Sequence, residues 1–207
     1  MILDTDIYGI TAEEYSLGRS NIEIVEQMIT AGIKIIQYRE KEKDMLQKYH
    51  ECIKIRELTT DNGVKFIIND HIDLAMAVKA DGIHLGQDDL PVEKAKEIVG
   101  EEMFIGLSTH SPQQAMEAAA QGADYIGVGP IYETQTKKDV CRPVGLEYLE
   151  YVSKHISLPF VAIGGIKAGN IREVTLHGAR CIAMVTEIVG STDIVQEVKK
   201  LRELLQR

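Results

Sequence analysis

The sequence is short of cysteine, of basic charge and of long apolar runs, and each shortage removes a class of protein. Its three cysteines, Cys52, Cys141 and Cys181, stand far apart in 207 residues and never in a Cys-x-x-Cys spacing. Neither a disulfide framework nor a zinc site is expected, and a reducing cytosol suits such a chain best. Lys and Arg number 23 against 32 Asp and Glu, a net charge of −9. A protein that holds nucleic acid over a broad face carries a basic stripe instead. Positive charge for any anionic ligand must therefore be local. The most apolar stretch, Leu158 to Ile166, is nine residues long, where a spanning helix takes roughly twenty. The opening Met1-Ile2-Leu3-Asp4-Thr5-Asp6 has no basic n-region and no apolar core, so no signal peptide is expected. Gly-x-Gly-x-x-Gly and Walker A patterns are missing as well.

What is present is an ordinary globular composition, 44% hydrophobic and 27% charged. No low-complexity tract, basic block or composition shift divides it, so residues 1–207 are expected to form a single domain. Short runs rich in Ile, Val and Phe alternate with segments of helical periodicity, the pattern of repeated βα units around a parallel sheet. Eight strands are expected, at 6–11, 33–40, 65–70, 82–86, 104–109, 125–131, 159–165 and 181–188. That number and spacing fit a closed (β/α)₈ TIM barrel of the α/β class. Ser20 with Glu23 has capping-box spacing, Ser111-Pro112 with Gln114 supplies a second cap, and Asn62-Gly63 and Gly122 stand where helices should end.

A barrel keeps its active site at the C-terminal ends of its strands, so polar residues there are read first. Strand 2 runs into Gln37-Tyr38-Arg39-Glu40-Lys41, where Gln37, Arg39 and Lys41 share a face. Two cations there suit a pyrophosphate; a solvated strand end pairing with Glu40 or Glu42 is the alternative. Asp70 after strand 3 and Asp89 after strand 4 can share one hard cation such as Mg²⁺, or each can simply cap the next helix. Ser108-Thr109-His110 closes strand 5. We read Ser108 as a hydrogen-bond donor, His110 as a surface residue and His84, between Ile83 and Leu85, as a packed strand histidine. The polar stretch 132–143 offers Thr134, Gln135, Thr136 and Lys137, either as a loop closing over phosphate or as a solvated basic loop. Gly164-Gly165 after strand 7 and Val185-Thr186 in strand 8 stand where many barrels hold phosphate.

Taken together, QYREK at 37–41, INDHIDLA at 68–75, ADGIHLGQDD at 80–89, GLSTHS at 106–111, GADYIGVGPIYETQTKKD at 122–139 and VAIGGI at 161–166 resemble the thiamine-phosphate synthase family over nearly the whole chain. The resemblance implies a (β/α)₈ barrel that joins a hydroxymethylpyrimidine diphosphate to a thiazole phosphate, with pyrophosphate released. It implies that Gln37, Arg39 and Lys41 contact the diphosphate with Asn69 nearby, and it counts Tyr38 and Glu40 of the same block among the substrate-binding positions. It makes Asp70 and Asp89 ligands of Mg²⁺. Arg39, Lys41, Ser108 and Lys137 become the catalytic set, and Thr134, Gln135, Thr136, Gly165, Val185 and Thr186 the thiazole-phosphate site. It further implies small-molecule substrates, a cytoplasmic enzyme and a homo-oligomer, with no nucleic acid or membrane partner. Thr186 stands where the family commonly has serine, and Cys141-Arg142-Pro143 also departs from its loop sequences. Two other readings stay open: a thiazole tautomerase of the same superfamily, working without diphosphate or metal, and a non-catalytic phosphate-ligand sensor.

Overall fold

The computed structural model describes residues 2–136 and 141–205. Eight parallel strands close on themselves: β1 (Ile7–Ile10), β2 (Ile35–Tyr38), β3 (Lys65–Asn69), β4 (Gly82–Leu85), β5 (Phe104–Thr109), β6 (Tyr125–Val128), β7 (Phe160–Ile163) and β8 (Ile182–Ala183), each pairing with the next and β8 with β1. Nine α-helices among the described residues follow in order: α1 (Asn21–Thr30), α2 (Met45–Asp61), α3 (Ile72–Ala77), α4 (Val92–Val99), α5 (Pro112–Ala120), α6 (Gly145–His155), α7 (Ile171–Leu176), α8 (Val185–Val189) and α9 (Ile194–Leu205). The α/β TIM barrel is the expected fold class.

Alternation along the strands sorts the residues into two cores. Ile36, Phe66, Ile68, Ile83, Ile105 and Ile126 point outward and are buried against the helices. Tyr8, Ile35, Ile67, Tyr125 and Val161 fill the barrel interior. The expected caps form: Ser20 and Glu23 make a reciprocal capping box on α1, and Ser111 accepts from the Gln114 N–H with Pro112 in the first turn of α5.

Strand boundaries are corrected, most of all in the last strand. The eighth strand, expected over 181–188, stops at Ala183, and the chain coils into α8. Met184, Ile188 and Val189 are buried there, and burial recurring after four residues is helical rather than extended. Val185 and Thr186 therefore lie in the first turn of a helix. The sixth strand is likewise shorter than expected, because the chain turns away at Gly129-Pro130.

The last helix buries Ile194, Val198 and Leu201 and is tied to the base of the barrel by the side chain of Arg202. Arg202 donates from Nε to Asp6 Oδ2 at 2.8 Å, from Nη1 to the Ala31 carbonyl at 2.6 Å and from Nη2 to the Gly32 carbonyl at 3.0 Å. Hydrogen bonds from a charged donor to partly buried acceptors are the stronger kind, so Arg202→Ala is expected to lower stability by about 2 kcal/mol, or Tm by roughly 4–8 °C. Thermal unfolding of the variant checks this, with kcat expected to stay unchanged because Asp6 and Arg202 lie away from the strand ends that bear the site.

Candidate active site

The C-terminal ends of the strands surround a cavity of about 750 Å³. Gln37, Arg39, Lys41, Asn69, Asp70, Ser108, Thr134, Gln135, Thr136, Gly165, Val185 and Thr186 all line it, although they come from stretches of chain up to 149 positions apart (37 to 186). Lys137 falls outside the described residues.

On the side of β2 to β4, Lys41 Nζ meets Asp70 Oδ2 at 2.7 Å. Asp70 holds a left-handed backbone (φ 62°), a region that aspartate enters more readily than most residues, and its N–H is tied to the His84 carbonyl at 2.9 Å. That turn swings its carboxylate toward Asp89, whose Oδ2 accepts from the Gly86 N–H at 2.6 Å. Burial and the neighbouring Asp70 carboxylate push the Asp89 carboxyl up, against the downward pull of the Gly86 N–H. Asp89 itself stands at the rim, in a small cleft beside Gly86 and Gln87. Neither aspartate caps a helix: α3 begins after His71 and α4 after Pro91, both without a side-chain cap.

The floor of the cavity is a chain of polar side chains across the barrel. Gln37 Nε2 donates to Tyr8 Oη (3.1 Å), the Tyr8 and Tyr125 hydroxyls bond each other (2.8 Å), Tyr125 Oη reaches His84 Nδ1 (3.0 Å), and His84 Nε2 reaches Ser108 Oγ (3.0 Å). Burial holds both tyrosines well above the ordinary phenol range, so they stay neutral. Space for the two rings comes from Gly106, where a Cβ would fall 2.2 Å from Tyr125 Cζ and 2.5 Å from His84 Nδ1.

The far side is formed by the ends of β6, β7 and β8. The Thr134 and Thr136 hydroxyls are 3.0 Å apart, and the Gln135 carbonyl accepts from Tyr15 Oη at 3.5 Å. Gly164 and Gly165 both hold positive φ (99° and 64°), and Asn170 Nδ2 donates to the Gly165 carbonyl at 3.1 Å. Val185 and Thr186 enter from the first turn of α8.

Some expectations change. His84 is no mere packing residue, because both its ring nitrogens are engaged in the cavity floor. His110 lines the same cavity and donates from Nδ1 to the Gly129 carbonyl at 2.5 Å. Tyr38 and Glu40 do not line it. Tyr38 faces the helix layer, its hydroxyl donating to Glu51 Oε2 at 2.6 Å, because it alternates with the inward Gln37; burial and that carboxylate push its phenol far up. Tyr8, Tyr125 and Lys167, which also line the cavity, were not singled out by sequence. The usable signal was the period of two: Tyr8 and Tyr125 fall on the same strand face as Gln37 and Ser108. Of the cysteines, Cys52 and Cys181 are buried with thiols pushed up by burial, and Cys141 is exposed at the cavity rim.

Among the described residues no helix is long and apolar enough to cross a membrane. Residues 7–188 match the family model described as thiamine monophosphate synthase. The chain is 68% identical over 206 residues to the thiamine-phosphate synthase of Pelotomaculum thermopropionicum, covering 100% of this chain and 94% of that protein. It is 55% identical to the thiamine-phosphate synthase of Lawsonia intracellularis, over 98% of this chain and 94% of that one. Among solved structures it superposes on the thiamine phosphate pyrophosphorylase of Pyrococcus furiosus with a TM-score of 0.88 and 34% identity, covering 97% of this chain and 95% of that one. The shared barrel, the family match over residues 7–188 and this extent of likeness place the chain in the thiamine monophosphate synthase family.

Proposed function

We propose that the cavity joins a hydroxymethylpyrimidine diphosphate to a thiazole phosphate, forming thiamine phosphate and pyrophosphate, the group transfer of a thiamine-phosphate synthase. The observation that carries this reading is that one cavity has two polar sides suited to anions, one bearing cations and the other hydroxyls and a glycine turn. Arg39 and Lys41 stand with Asp70 past the ends of β2 and β3, and Thr134, Thr136, Gly165 and Thr186 stand across the ring, in the segments after β6 and β7 and in the first turn of α8.

The C–O bond to the diphosphate breaks with its electron pair leaving on pyrophosphate. The aminopyrimidine ring supports the positive charge left on the exocyclic methylene, and the thiazole nitrogen then forms the new C–N bond. That nitrogen carries no proton, so no general base is needed. Arg39 and Lys41, with Lys137 by resemblance, compensate the charge that grows on the leaving group, and Gln37, Asn69 and Ser108 hold the pyrimidine in line. Asp70 and Asp89 would hold Mg²⁺, since burial and the neighbouring Asp70 carboxylate push the Asp89 carboxyl up, a repulsion that a hard cation between the two would relieve. Mg²⁺ held there supplies Lewis-acid stabilisation of the diphosphate oxygens. A net charge of −9 is no obstacle, because focused cations outweigh a diffuse acidic surface. Soluble phosphorylated substrates suit a cytoplasmic enzyme.

The test is pyrophosphate release from both substrates with and without Mg²⁺, with thiamine phosphate quantified in parallel. Equal, metal-dependent formation of both products is expected. Silence from folded protein overturns the reading, and metal-free isomerisation of a thiazole phosphate would make the chain a tautomerase. Thr186→Ser removes one methyl and keeps the hydroxyl, so it is expected to change KM for the thiazole phosphate while kcat stays within about threefold. A large loss of kcat would contradict a binding role for Thr186.

A further inference from the structure

The segment that carries Arg39 and Lys41 to the cavity has no helix or strand between Tyr38 and Met45, so something else must hold it in place. Glu40 does so from behind. Its Oε1 accepts from the backbone N–H of Lys41 at 2.8 Å and of Glu42 at 3.2 Å. Its Oε2 accepts from Asn21 Nδ2 at 3.1 Å. Asn21 is fully buried at the start of α1, and the same amide nitrogen donates to Glu51 Oε2 at 3.2 Å. Glu51 is held in turn by Lys43 at 2.5 Å, and Lys43 also bridges to Glu13 at 2.5 Å. Glu13 accepts from the Asn21 backbone N–H at 3.0 Å, which closes the circuit. On the other side of the strand end, the buried Thr11 accepts from the Arg39 N–H at 2.9 Å.

We propose that Glu40 is a positioning residue: anchored by the buried Asn21, its carboxylate fixes the backbone at Lys41 and so sets the ammonium group toward the diphosphate side of the cavity. A loop cation free to wander loses conformational freedom each time it binds an anion, and a cation already held loses little. The carboxylate is suited to this because two successive N–H groups converge on one of its oxygens while Asn21 takes the other. The network also confines negative charge: Glu51 and Glu13 share Lys43 between them and do not line the cavity. This inference rests on the reading of Lys41 as a diphosphate-binding residue.

The test is a double-mutant cycle between Glu40→Ala and Lys41→Ala, following KM for each substrate, kcat, and inhibition by inorganic pyrophosphate with Mg²⁺. Glu40→Ala is expected to raise KM for the pyrimidine diphosphate, and Ki for pyrophosphate, at least about fivefold, with KM for the thiazole phosphate unchanged. Glu40→Gln keeps an acceptor oxygen for the two N–H groups and is expected to restore values to within about twofold. On the Lys41→Ala background, Glu40→Ala is expected to add less than about twofold, since the two act as one unit. If Glu40→Ala proves insoluble, Glu40→Ser, too short to reach both N–H groups, takes its place in the cycle. Independent, additive effects overturn the positioning role, as does a silent Glu40 variant beside an impaired Lys41→Ala. A silent Lys41→Ala removes the reading of Lys41 itself, and the positioning role with it.

Discussion

Asp70→Asn is expected to lower kcat/KM at least about a hundredfold, close to 2.7 kcal/mol of transition-state stabilisation, with Tm unchanged. Asparagine is the informative replacement because Asp70 has φ 62°, and asparagine tolerates that conformation where alanine adds strain. The substitution removes charge and little else. The Lys41–Asp70 pair is partly open to solvent, with side chains 46% and 26% exposed, so its loss is a small matter for stability. Activity is expected to fall for another reason: one of the two carboxylates proposed to hold Mg²⁺ becomes a neutral amide, and a single carboxylate binds a hard cation weakly. Kinetics titrated with Mg²⁺ provide the check, with the variant needing more metal to reach a lower plateau. A kcat/KM within about threefold of the parent would take Asp70 out of the mechanism.

Gly165→Ala is expected to damage the opposite side of the cavity as severely. Gly165 has φ 64°, and a Cβ there would sit 2.5 Å from the Glu133 carbonyl oxygen and 2.8 Å from Tyr132 Cβ. The oxygen belongs to the backbone, so relief requires the 132–133 segment to move, and Thr134 moves with it. Left-handed strain and overpacking together cost about 2–4 kcal/mol, and KM for the thiazole phosphate is expected to rise at least about tenfold. Gly169→Ala is the matched control, since nothing lies within 4 Å of a Cβ at that position. Differential scanning calorimetry should show a Tm lower by more than about 5 °C for Gly165→Ala and none for Gly169→Ala. A stable Gly165→Ala variant with its parent's KM would show that the close approach of these two loops does not shape the site.

Much of this molecule is local information. Hydrophobic runs of period two, helical stripes, the Ser20 and Ser111 caps and the glycine stops are short-range signals, and strung together in alternation they leave a closed parallel barrel as the fold. The barrel then directs strand ends toward one face, so Gln37, Arg39, Lys41, Asn69, Asp70 and Ser108 are legible as site residues from their place in the repeat. Where sequence reading went astray, the deciding forces were not local. The eighth strand reads as extended until its apolar residues are seen to bury with helical spacing in α8. His84 resembles any histidine between two aliphatic residues, and only the pairing of β4 with β5 and of β5 with β6, with the gap at Gly106, brings it between Tyr125 and Ser108.

Glu40 marks the boundary most clearly. Its sequence neighbours are cations that face the cavity, but its own carboxylate turns the other way, toward Asn21 on α1. The strand, helix and cap pattern, the parallel order and the roster of cationic and acidic strand ends are written in residues that act within a few positions of one another. Which of those residues meet is a property of the closed ring. Its circumference sets Tyr8 against Tyr125, the pairing of β3 with β4 sets Asp70 near Asp89, and the packing of α1 on the barrel brings Asn21 to Glu40, through contacts between segments that no local periodicity links.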